Sequence, residues 1–179
     1  MLSLVSVIAG ATFMLAGPPP TGPAPSVPAA GYALLTSPQR RVRAPDPRIQ
    51  ELIAEGFSRS STFAGLVIAL NRSDVIVYIE TVPSLRKDTM GRIAILPIAG
   101  TSRYLRIQIR ADLPRKEAIA LIGHELYHAL EIADAPDVRN DEGMVRLYER
   151  IGHAGPGEHS YDTGAAQDTG RRVRRELAG

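Results

Sequence analysis

A chain of 179 residues with 44% apolar side chains is sized for one folded domain. It has no cysteine, which excludes disulfides, thiolate metal ligands and a thiol nucleophile together. The net charge of +2 rests on arginine, since only Lys87 and Lys116 among the 21 basic residues are lysine; with no tryptophan and 5% aromatics, the dense basic stripe and stacking rings of a nucleic-acid partner are missing.

The chain opens on MLSLVSVIAGATFMLA, apolar and uncharged. This run is shorter than the ~20 apolar residues of a bilayer span. Its small residues at Ala9-Gly10-Ala11 and Ala16 suit a cleavage site, so residues 1–16 are expected to be a signal peptide or a short membrane tether. The expected location is therefore periplasmic or extracellular, although the first basic residue is Arg40 and a positive leading region is lacking. Residues 17–44 follow as a Pro/Ala/Gly-rich linker that cannot build a core, and the folded domain is expected over 45–179.

Asp46-Pro47 opens a helical pattern with Ile49, Leu52, Ile53 and Phe57 on one side. A second helix is predicted from Ser61 to about Leu70, with Phe63, Leu66, Val67 and Leu70 aligned, before a turn at Asn71–Asp74. VIVYIE (Val75–Glu80) reads as a strand. Arg92–Gly100 and Tyr104–Arg110 read as an antiparallel hairpin, and Pro97 requires its strand to lie at an edge or carry a bulge. Leu105, Ile107 and Ile109 alternate with Arg106, Gln108 and Arg110, giving one buried and one wet face.

A long helix comes next, with Asp112 as its expected cap, Pro114 in its first turn and Glu117 at its positive end. It should stop near Asp134, because Pro136 disfavours helix at Ala135. Helices near Glu142–Ile151 and from about Ser160 to Leu177 complete the chain. The expected fold is α+β: a small three-stranded mixed or antiparallel sheet packed on the long helix, with flanking helices.

Inside that long helix lies His124-Glu125-Leu126-Tyr127-His128. Residues four apart share one side of a helix, so His124 and His128 can aim both imidazoles at one cation, at the ~2.0–2.1 Å that zinc prefers. Glu125 is rotated by about 100° from His124, which sets a carboxylate beside the ion to take a proton from a metal-activated water. The opposite face holds Ala118, Leu121, Ile122, Ala129 and Ile132, with Glu125 interrupting it. A glutamate there is costly unless it is paired or functional.

These five positions, and a small sheet ahead of the helix that carries them, resemble the zincin metallopeptidases. The resemblance implies a catalytic zinc ion, peptide-bond hydrolysis, and an edge strand, one of the two before the helix, that binds extended peptide or protein substrate. No subfamily is identified.

A catalytic zinc ion usually has a third protein ligand. Asp134 stands where one zincin branch places it, but Glu131 replaces the glycine of that branch, and on an intact helix Asp134 is about 15 Å of rise from His124. Glu131 lies on the histidine side, where three ligands along one helix cannot wrap a tetrahedral ion; a hydrogen bond to a histidine suits it better. The other branch uses a carboxylate from a separate downstream helix, which favours Asp162, next to Gly164, Ala165 and Ala166, with His159, His153 and Asp168 as alternatives. Asp162 or Ser160 could equally serve only to cap the last helix. Tyr161 and His159 are the nearest groups able to stabilise an oxyanion. The expected activity is a zinc-dependent peptidase with His124, His128 and Asp162 on the metal and Glu125 as general base. The alternative is a catalytically weak or inactive zincin-like envelope protein that binds a metal or a partner.

Overall fold

In chain order the elements are β1 (Ser6–Ile8), β2 (Val42–Arg43), α1 (Pro47–Arg59), α2 (Ser61–Asn71), β3 (Val75–Val82), β4 (Gly91–Ala99) and β5 (Ser102–Arg110). Then come α3 (Arg115–Ala133), α4 (Asp141–Ile151), β6 (His153–Ala154), β7 (Ser160–Asp162) and α5 (Gly164–Glu176). The computed structural model describes residues 6–8, 35–86, 89–154 and 160–179.

Local chemistry sets the first two helices as the pattern requires. The Asp46 side chain accepts from the Arg48 amide to start α1, and Ser60 both ends α1 and caps α2 by accepting from Phe63. Their apolar sides bury Ile49, Leu52 and Ile53, and Phe63, Leu66, Val67 and Leu70.

The fold is α+β, with a mixed sheet of four strands in the order β2-β3-β5-β4 rather than the expected three. β2 is parallel to β3 and β3 to β5, whereas β4 runs antiparallel to β5. The extra strand, β2, was hidden because only two residues form it, just ahead of the expected boundary at 45. Arg41 secures it from next door: its amide donates to the Asn71 side chain at 2.7 Å and its carbonyl accepts from Val77 at 2.8 Å. The hairpin β4–β5 forms as predicted, and its register shifts between Leu96 and Ala99, the stretch that contains Pro97. Alternation places Val75, Val77, Ile79, Ile93, Leu105, Ile107 and Ile109 in the core.

The long helix α3 starts differently from expectation. Its cap position is Pro114, with no side-chain cap, and Asp112 instead accepts from the Arg110 guanidinium. Its far end is closed by a residue from the sheet. Arg103 is fully buried, donates to both Asp74 oxygens at 2.7–2.8 Å, and reaches the carbonyls of Ile132, Ala133, Ala135 and Val138 at 2.7–3.2 Å. Those carbonyls belong to the open C-terminal turn of α3 and the loop after it, which a guanidinium with five donors can satisfy together.

The last predicted helix is corrected at its start. Ser160–Asp162 is a strand, β7, antiparallel to β6, and α5 begins only at Gly164. Thr163, not Ser160 or Asp162, caps it by accepting from the Ala166 amide. Glycines let α5 lie close on α3: a Cβ at Gly123 would sit 3.0 Å from Val173, and one at Gly170 would sit 3.2 Å from the His124 Cβ. Gly164 meets nothing within 4 Å and Ala165 is exposed, so of the three small residues singled out in the sequence only Ala166 is buried. Glu176 fixes the other end of α5 by accepting from Ser60, from Ser61, and from the Thr62 amide and hydroxyl at the start of α2. β1 lies between β4 and β7, antiparallel to the first and parallel to the second. It falls within the expected segment 1–16, the remainder of which, with residues 17–34, lies outside the described residues. Among the described residues no helix is long and apolar enough to cross a membrane.

Candidate metal centre

One helical turn separates His124 from His128, and their rings meet edge to face with centroids 4.8 Å apart. The two Nε2 atoms face each other at 3.1 Å. From the end of β7, Asp162 Oδ1 completes a triangle, 3.4 Å from His124 Nε2 and 3.3 Å from His128 Nε2. A tetrahedral ion with bonds of ~2.0–2.1 Å holds its ligand atoms about 3.3–3.4 Å apart, so the three donors already stand at coordination spacing. All three residues are at most 5% exposed. This buried group can hold a metal ion.

Surrounding groups fix the orientation of each donor. Asp162 accepts from the Thr163 amide on Oδ1 at 2.7 Å and from Gln167 on Oδ2 at 2.9 Å. His128 Nδ1 lies 2.7 Å from Glu131 Oε2. With the proton on Nδ1 donated there, the lone pair on Nε2 faces the triangle. The other oxygen of Glu131 accepts from the Thr163 hydroxyl at 2.7 Å, so one carboxylate joins the motif helix to the residue beside Asp162. Tyr148 adds its hydroxyl 3.3 Å from both His128 Nδ1 and the His128 carbonyl, and its ring stacks on Tyr161.

Electrostatics mark the triangle as a place for positive charge. Burial, reinforced by His128, lowers His124 to about 3. Burial also opposes protonation of His128, but Asp162, Glu131 and Glu125 outweigh it and raise that ring to about 9. Asp162 is buried too, yet the histidines and Gln167 hold its carboxyl below the usual range. Without a cation, one proton must sit among atoms that all present lone pairs to the same point.

Glu125 stands next to this group with neither carboxylate oxygen hydrogen-bonded among the described residues. Complete burial raises it to about 8, with Asp162 adding to the rise and His128 opposing it. Its space is created by β4: a Cβ at Gly91 would lie 2.6 Å from Glu125 Oε1 and 3.2 Å from Leu121. An unpaired buried carboxylate is expensive, and a nearby cation is the natural compensation. The donor set and this orphaned acid together fit a bound divalent metal.

No protein-family model, curated protein or solved structure matches this chain.

Of the residues selected from sequence, the structure brings His124, Glu125, His128 and Asp162 together. Glu131 takes the supporting position expected of it, and Asp134 merely ends α3. His153 is exposed, with Nε2 3.5 Å from Gln167 Nε2, and Asp168 is exposed and paired with Arg171. His159 lies outside the described residues, and Tyr161 is half-buried on β7. Sequence reading missed Thr163, Gln167, Tyr148 and Gly91. Thr163 had a legible signal as a cap one residue before Gly164, whereas the others act only through tertiary contact.

Proposed function

We propose that this protein is a zinc-dependent hydrolase of the zincin type, with peptide bonds as its substrate. The observation that carries the proposal is the triangle of two imidazoles from α3 and a carboxylate from β7, with a buried unpaired glutamate beside it. A His/His/Asp set of nitrogen and oxygen donors suits zinc. Zinc bound by His124, His128 and Asp162 would polarise a carbonyl and lower the pKa of a water toward ~7.

The chain's own residues supply the remainder. Glu125, raised to about 8, has the proton affinity of a general base near neutrality. It would take a proton from the attacking water and return it to the leaving amine. Glu131 and Thr163 hold His128 and the end of β7 in register during that exchange. β4, the antiparallel edge of the four-stranded sheet, starts beside Glu125 and supports the placing of extended substrate there. The apolar first sixteen residues support export, with or without a tether.

The test is metal analysis of protein purified without added zinc, followed by peptide cleavage with the Glu125→Gln variant. One equivalent of zinc in both proteins and a ~10²–10⁴-fold loss of turnover in the variant are expected. Equal cleavage by the two would refute the mechanism. A second reading, a metal-binding domain without catalysis, is favoured by the burial of Glu125 and His128, both 0% exposed. It predicts zinc content and zinc-dependent thermal stability with no cleavage of any peptide.

A further inference from the structure

Two strands border the metal centre, and a third segment of the chain fills the space between them. β4 begins at Gly91, against Glu125, and β7 ends at Asp162. β1 pairs with both: Val7 with Ile93 and Ile8 with Arg92 on one side, Ser6 with Ser160 and Val7 with Tyr161 on the other. Extending each register by one residue sets Asp162 level with Ile8 and Gly91 one step past it. Paired strands lie ~4.8 Å apart, so β4 and β7 flank a slot about 10 Å wide that admits one extended chain. Without β1, both edges would present unpaired amides and carbonyls, the usual template for strand addition.

We propose that this slot is an extended-peptide site and that β1 is its resident occupant, closing the centre until it is displaced. The inference rests on the hydrolytic reading above and adds its regulation. It accounts for an otherwise awkward feature: a centre whose four principal residues are at most 5% exposed does not admit a peptide, and β1 holds the place where one would pair. The antiparallel direction of β1 on β4 also defines the direction in which an incoming peptide would run.

Two full-length variants test this. In Val7→Pro the ring removes an amide from a strand paired on both sides, which such strands do not tolerate. Exchange of the β4 amide facing β1, at Arg92 or Ile93, should rise about tenfold or more, by the measure of local opening. A fluorescent peptide with the sequence of residues 3–11, SLVSVIAGA, should bind this variant and not the unaltered protein. The second variant carries Ile8→Cys and Arg92→Cys, a directly opposed pair in a chain with no other cysteine. Oxidised, it should exclude the peptide and slow the same exchange; reduction should return both to the values of the unaltered protein. Unchanged exchange and no peptide binding in Val7→Pro would overturn the proposal. So would a disulfide that forms between two chains, which would put a second copy's strand in the slot. If Val7→Pro fails to fold, the cysteine pair decides alone, and failure to oxidise within one chain refutes the occupancy. Peptide that binds Val7→Pro without being cleaved would uphold the occupancy and remove the hydrolytic reading.

Discussion

Glu131 offers a way to separate charge from geometry in the support of the metal centre. One oxygen lies 2.7 Å from His128 Nδ1 and the other accepts from Thr163 at 2.7 Å, so the residue both orients a ligand ring and ties α3 to β7. Glu131→Gln keeps a side chain of the same shape able to make both contacts, but removes the negative charge that helps raise His128. Glu131→Ala removes charge and contacts together. Partners of a metal-bound histidine typically contribute 10–100-fold in affinity. The glutamine variant should therefore lose about tenfold in zinc affinity and the alanine variant about a hundredfold, roughly 1.4 and 2.7 kcal/mol. Competition with a chromophoric chelator at fixed pH measures both, with far-ultraviolet circular dichroism to show that α3 is intact. Zinc affinity in Glu131→Ala equal to that of the unaltered protein would refute the argument that this carboxylate holds His128.

Replacing Arg103 by methionine should destabilise the fold by about 3–5 kcal/mol, because several buried carbonyls and Asp74 lose their donor together; urea unfolding measures it, and a loss under about 1 kcal/mol would show the guanidinium is dispensable. Gly91→Ala places a Cβ 2.6 Å from Glu125 Oε1, so it should cost about 1–3 kcal/mol alone and much less in a Glu125→Ala background. Additive costs would mean that the two positions do not touch. The metal-free protein also carries a pH signature. Glu125 has a folded value of about 8 against an ordinary 4.5, so between these the folded state keeps a proton that the unfolded chain has released, and stability must fall as pH rises through that window. Glu125→Gln deletes this component, so the difference in unfolding free energy between the two metal-free proteins should vary with pH from about 4.5 to 8 and level off outside it. A difference that stays constant throughout would show Glu125 ionised in the fold.

The parts that sequence alone disclosed are those governed by short-range rules. Periodicity located α1, α2, α3 and the β4–β5 hairpin, and Pro97 marked the irregular stretch of β4. The i, i+4 spacing of His124 and His128 did the same for the metal pair. Contacts between distant segments were illegible. β2 has two residues, too few for any pattern, and Arg103 reads as one more polar strand residue until four carbonyls from the end of α3 converge on it. Asp162 was chosen for the right role on the wrong element, because Ser160–Asp162 is too short to alternate and sits directly before a helix. The need for glycine at Gly91 follows from Glu125, 34 positions along the chain, and no local rule encodes it.

The crossing of α3 and α5 bears on which ion the centre accepts. His124 is backed by Gly170 at 3.2 Å, and Asp162 leads through Thr163 into the first turn of that same α5. The gap between these two donors is therefore gauged by backbone lying against backbone rather than by the donors themselves. A bulkier residue at position 170 would pry the gauge open and turn a cradle proportioned for a small ion at ~2.0–2.1 Å toward larger cations that sit at ~2.3–2.6 Å. Selectivity, on this view, is written in a residue that never touches the metal.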